Sequence, residues 1–118
     1  LTAINGTKMG TLDEYKENYL TTNHFKANFP KMKLGTADRF NDSKTDYKLL
    51  TEELGADIRD MEGAAVVQAA YCTELPVYLI KAISDVAGSG STAEQYFANK
   101  AKALENLKAA LPVFFEEL

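Results

Sequence analysis

Three apolar runs organise the pattern along the chain. The longest is Val77-Tyr78-Leu79-Ile80-Lys81-Ala82-Ile83. It is almost continuously apolar, which predicts a central parallel strand covered on both faces. Two shorter runs, Met32–Ala37 and Ala56–Arg59, predict short strands. Between them, Ser43 suits a helix N-cap with Asp46 three residues on, in the manner of a capping box. Tyr47, Leu50 and Leu54 follow at helical spacing, and Gly55 is the expected stop. After the second run, a helix rich in small residues is predicted from about Glu62 to Thr73, able to pack closely on a sheet and broken by Leu75-Pro76. Gly88-Ser89-Gly90-Ser91 is a loop. Thr92 is the expected cap of a long helix with Phe97, Ala101, Leu104, Leu107 and Leu111 on one face. Pro112 should kink or restart it, with Phe114, Phe115 and Leu118 extending the stripe.

Residues 1–30 are less regular. Gly6 and Gly10 mark loops, and residues 12–20 suit a helix presenting Tyr15, Tyr19 and Leu20. Asn28-Phe29-Pro30 ends what precedes it, because the residue before proline avoids the α region. The order β-α-β-α-β-α predicts an α/β domain of layered elements with parallel strands and right-handed crossovers. No internal repeat, linker or low-complexity tract divides the chain.

Composition narrows the class. The 118 residues suffice for one domain. A net charge of −4 and a pI near 5.0 lack the basic footprint of a nucleic-acid binder. No apolar run approaches the roughly 20 residues of a membrane-spanning helix. Cys72 is the only cysteine, which excludes an internal disulfide and fits a reducing cytoplasm. His24 is the only histidine, so a Ser-His-Asp triad would have to use it, and histidine-rich metal sites are excluded. No metal or other cofactor is expected. The chain opens on Leu1 in an apolar segment, without a signal-like stretch, which leaves room for an upstream portion.

Candidate chemistry gathers where strands end, the place where open α/β sheets build ligand crevices. Glu62 stands at the start of a helix, whose positive terminus favours a carboxylate. Position alone divides evenly between a glutamate that caps its own helix and an acceptor that takes hydrogen bonds from two neighbouring sugar hydroxyls. Asp85 directly follows the longest apolar run. It suits an Asx turn or helix cap aided by Ser84, or, partly shielded from water, a general acid. Phe40 lies in the polar segment Asp38-Arg39-Phe40-Asn41-Asp42 and either plugs a core edge or stacks on a planar base. Cys72 reads as a small buried residue. Lys81, inside an apolar run, should snorkel or pair with a carboxylate. The Gly88–Ser91 stretch lacks the G-x-x-x-x-G-K-[ST] phosphate pattern and reads as a plain loop.

Asp60-Met61-Glu62-Gly63-Ala64-Ala65 and then Ala82-Ile83-Ser84-Asp85-Val86-Ala87 resemble the C-terminal half of the 5′-methylthioadenosine/S-adenosylhomocysteine nucleosidases, members of the purine nucleoside phosphorylase/uridine phosphorylase superfamily. Upstream, Thr36-Ala37-Asp38-Arg39-Phe40 is similar to that family's base-holding Ser-Gly-Asp-x-Phe segment. The three motifs keep order and spacing over roughly residues 32–111. The resemblance implies a three-layer αβα fold, of which this chain carries the C-terminal part: residues 32–118 nucleosidase-like, residues 1–31 unassigned. It implies hydrolysis of the N-ribosidic bond of methylthioadenosine or S-adenosylhomocysteine. Asp85 would protonate the departing adenine at N7, oriented by Ser84. Glu62 would accept from the ribose hydroxyls and Met61 would pack on the sugar. Phe40 would stack on the base, while backbone groups of Phe40 and Asn41 read its edge. A homodimer acting on a purine nucleoside is the expected assembly.

Departures are visible. Thr36-Ala37 replaces Ser-Gly, and Asn41 is polar where the family is usually apolar. Tyr96 and Phe97 are the candidates for the aromatic that covers the 5′ substituent. The family's N-terminal strand, glycine-rich segment and water-activating glutamate have no counterpart in residues 1–31. Two rivals therefore stand beside hydrolysis: a phosphorylase of the same superfamily, and a non-catalytic module retaining the purine and ribose contacts.

Overall fold

The computed structural model describes residues 20–40 and 44–118. Strands β1 (Leu34–Thr36) and β2 (Ile58–Asp60) pair in parallel, with Leu34 opposite Ile58 and Thr36 opposite Asp60. Parallel neighbours need a crossover. Here it is helix α1 (Lys44–Lys48), continued by a π-helical turn over Leu49–Glu53. The turn ends as Leu54 N–H donates to the Leu49 carbonyl, and Gly55 adopts φ 63°, the expected stop. Residues 12–19 of the predicted helix and the Ser43 cap lie outside the described residues.

Helix α2 (Gly63–Cys72) packs against β1. A Cβ on Gly63 would stand 2.5 Å from Leu34 Cδ2 and 2.7 Å from an Asp60 carboxylate oxygen, so only glycine permits this approach. The helix ends in a Schellman pattern, with Glu74 N–H on the Tyr71 carbonyl and Leu75 N–H on the Ala70 carbonyl. Glu74 holds φ 56° there, a conformation glycine adopts without strain. Helix α3 (Thr92–Phe115) continues through Pro112. Elements alternating around a small parallel sheet make the protein α/β, as expected.

Four expectations are corrected. Val77–Ile83 joins no ladder among the described residues. Its recorded backbone partner is Asn23, which donates N–H to the Val77 carbonyl while its side chain accepts from Val77 N–H. An apolar run reports a wish for burial and not a hydrogen-bonding partner, which explains the difference. The cap of α3 is Ser91, whose Oγ accepts from Glu94 N–H, one residue before the expected Thr92. Thr92 instead is buried. The predicted apolar face of α3 holds only in part: Phe114 is buried as expected of the stripe, but Phe97 and Leu104 face outward and Ala103 is buried instead. Phe114 decides this orientation by packing on Phe25 and Phe29 with ring centroids 4.6 and 4.8 Å apart, and Phe25 also meets Tyr78 at 4.5 Å. Glu117 locks the cluster by accepting from Lys26 and Ala27 N–H. Finally, Cys72 is exposed, at the last position of α2 beside the outward Tyr71.

Candidate functional site

The β2–α2 junction is held by Asp60, at the last position of β2 and with a side chain only 9% exposed. Its Oδ2 accepts from Gly63 N–H at 2.8 Å and lies 2.5 Å from Lys81 Nζ. Its Oδ1 accepts from the Thr36 hydroxyl at 2.7 Å, and that hydroxyl in turn accepts from Ala64 N–H. Burial pushes this carboxyl up, but the Lys81 ammonium, the Thr36 hydroxyl and the Gly63 N–H outweigh it and hold Asp60 below the usual carboxylate value. Lys81 thus pairs with a carboxylate, one of its two expected fates.

This network settles what Glu62 does locally. Glu62 occupies the N-cap position of α2, but its side chain makes no capping bond. Asp60 takes that role, and Glu62 Oε2 accepts from Met61 N–H at 3.3 Å. The self-capping reading therefore falls, and the exposed Glu62 carboxylate stands clear at the helix start beside a half-exposed Met61.

Asp85 lies in a different setting. The Ser84 hydroxyl donates to Asp85 Oδ2 at 2.7 Å. Asp85 caps no helix, because the cap of α3 is Ser91. With Ile83, Ser84 and Val86 it lines one side of a pocket of about 250 Å³, whose other side is α3, through Gln95, Asn99 and Lys102. The turn that follows uses Gly88 at φ 84° and Gly90 at φ 102°, both in the glycine-favoured region.

The first turns of α3 also reach Phe40, whose half-exposed ring meets the edge of Tyr96 at 6.0 Å. Tyr96 contacts Phe97 in turn, and Lys100 Nζ lies 5.6 Å over the Tyr96 ring. Helix α3 therefore brings together Phe40, Ser84 and Asp85. Met61 and Glu62 sit at the β2–α2 junction, joined to the 81–85 segment through the Asp60–Lys81 pair. Asn41 lies outside the described residues.

Three residues near the site escaped the sequence pattern. Arg59 donates to the Arg39 carbonyl, while Arg39 pairs with Asp46. Burial lowers the Arg59 guanidinium from its usual value, Asp46 and Asp85 oppose that, and Arg39 adds to it. Arg59 thus feels the charge of Asp85 although 26 positions separate them in sequence. Gln95 and Asn99 are the other two; their i, i+4 spacing on a polar stretch was the available signal.

A model of the phosphorylase superfamily matches residues 12–116, and the chain belongs to that superfamily. The family expectation raised by the Asp60–Ala65 and Ala82–Ala87 motifs is borne out. Among named relatives, a 5′-methylthioadenosine/S-adenosylhomocysteine nucleosidase of Arabidopsis thaliana is 34% identical over 80 residues, covering 67% of this chain and 31% of that protein. A 5′-methylthioadenosine nucleosidase of the same plant is 38% identical over 68 residues, covering 57% of this chain and 25% of that protein. The match thus spans less than a third of the length of either relative. No solved structure matches the chain significantly.

Proposed function

We propose that this chain carries the base-protonating and ribose-gripping part of a nucleosidase, which splits the N-ribosidic bond of 5′-methylthioadenosine or S-adenosylhomocysteine to release adenine. The observation that carries the reading is the Ser84–Asp85 pair facing a pocket of about 250 Å³. That is below the ~300–1,000 Å³ of sites for drug-sized ligands and suits one ring system. Superfamily membership and the names of the two plant relatives support it.

Adenine leaves poorly as an anion. Asp85 delivers a proton to its N7 as the glycosidic bond stretches, and Ser84 orients the carboxyl group. The sugar develops oxocarbenium character, as in glycoside hydrolysis. Glu62, released from capping duty by Asp60, accepts from the ribose hydroxyls and stabilises that charge, with Met61 against the sugar. Phe40 stacks on the base, and backbone groups of Phe40 and Asn41 read its edge. Water over phosphate as nucleophile belongs to the same reading, supported by the names of the two plant relatives, both nucleosidases. Pairing into a homodimer belongs to the same reading, supported by the exposed Val66, Tyr71 and Leu75 of the α2 region. Among the described residues no helix is long and apolar enough to cross a membrane.

The test incubates the intact gene product that carries this chain with methylthioadenosine, with and without phosphate, and measures adenine. Phosphate-independent release is expected. Release that requires phosphate points to a phosphorylase. Absent turnover with calorimetric binding of adenine points to a non-catalytic binding module.

A further inference from the structure

We infer that Gln95 and Asn99 are positioning residues that hold the backbone on both sides of Asp85 and so set the aim of its carboxyl group; this rests on the reading of Asp85 as the acid. The two lie four residues apart on α3 and so share one face. Gln95 Oε1 accepts from Val86 N–H at 3.0 Å, and Gln95 Nε2 donates to the Val86 carbonyl at 3.2 Å. The same Nε2 reaches the Ser89 carbonyl at 3.4 Å. Asn99 Nδ2 donates to the Ser84 carbonyl at 3.0 Å. Both neighbours of Asp85 are therefore tied to α3, while the Asp85 carboxylate is left to the Ser84 hydroxyl and the pocket.

The surrounding chain explains why such ties matter. Residues 77–86 join no ladder among the described residues, so the sheet does not fix this segment at the acid. Two glycines at positive φ follow closely and give the chain little resistance to pivoting. Primary amides suit the task because one group can both donate and accept, as Gln95 does with a single peptide-bearing residue. They also add no charge beside the acid. Gln95 and Asn99 line the same pocket as Asp85, so the restraint acts at the place where a ligand would sit.

The experiment compares the full chain with Gln95→Met, Asn99→Leu and Gln95→Glu, the last keeping an acceptor for Val86 N–H, and with Lys108→Ala as a control elsewhere on α3. Amide exchange followed by NMR reads the tie directly. Exchange at Val86 should quicken about five- to tenfold in Gln95→Met, the size expected for one lost hydrogen bond, with α2 amides unchanged. Gln95→Glu should fall between this variant and the parent, which separates a lost tie from general loosening. Adenine release reads the consequence: kcat should fall about 10- to 100-fold with KM changed by no more than about threefold, since a misaimed acid is felt in the chemical step. Unchanged Val86 exchange in Gln95→Met would overturn the inference. Quickened exchange with unchanged kcat would do so as well. If the intact gene product releases no adenine, the nucleosidase reading fails by itself, and exchange alone decides whether the amides hold the loop.

Discussion

Asp60 and Asp85 belong to successive motifs yet live in opposite surroundings. Asp60 is nearly enclosed, and a hydroxyl, a backbone N–H and an ammonium converge on its two oxygens. Asp85 takes a bond from the adjacent serine and faces a pocket. A carboxylate whose acceptor sites are filled by its own protein is a structural element. One that meets open volume is available to a ligand. The contrast also accounts for Glu62: because Asp60 caps α2, the glutamate at the cap position is relieved of that work.

The sharpest way to break this contrast is to neutralise both acids. Asp85→Asn should reduce adenine release about 10²–10⁴-fold, the usual value of general acid catalysis, while leaving the denaturation midpoint nearly unmoved. A large loss of stability with intact turnover would reverse the two roles. Asp60→Ala should do the opposite and destabilise by about 2–3 kcal/mol in urea melts, from a lost cap and a partly buried ammonium left without its partner.

The pH dependence follows from the lowered Asp60 value. Its stabilising contribution is fully present above the ordinary carboxylate value, about pH 4, and is lost as pH falls through the lower folded-state value. Melts of the parent chain between pH 5 and the acid limit should therefore weaken more steeply than those of Asp60→Asn, and parallel curves would remove Asp60 from the account.

Smaller effects sharpen the boundary between the regions. Ser91→Ala should cost about 1 kcal/mol by uncapping α3, and should quicken exchange first in the turn that carries Gln95. Glu74→Gly should instead stabilise by up to about 1 kcal/mol, because the Schellman position already holds φ 56°. Glu62→Gln should change stability by less than about 0.5 kcal/mol in the same melts. A drop near that of Ser91→Ala would restore the capping role that the bonding pattern assigns to Asp60.

Much of the site was legible in sequence because its motifs are contiguous. Asp60-Met61-Glu62-Gly63 and Ser84-Asp85 each fit within one turn of chain, so local order alone placed Asp60 and Glu62 between β2 and α2, whereas the strand expected before Asp85 is absent among the described residues. The Ser84–Asp85 bond joins adjacent residues and needs no tertiary information. Partners from elsewhere were not legible. Nothing in the run around Lys81 states that its ammonium meets Asp60, and nothing near Val86 points to Gln95, nine residues away across a glycine turn. The N-terminal part of the apolar face of α3 was misread for the same reason. Apolar residues lie on more than one side of that helix, and Phe25 and Phe29 choose which side is buried.

The sequence by itself determined the α/β class, the first two strands with the helices that follow them, the glycine stop at Gly55, the family and the two carboxylate motifs, because each is written in short spacings and local backbone preference. Tertiary structure decided which acid is consumed by structure and which is left open. It did so because hydrogen-bond saturation depends on what approaches from distant parts of the chain: Thr36 and Lys81 close around Asp60, whereas α3 grips the backbone beside Asp85 and leaves a pocket before its carboxylate.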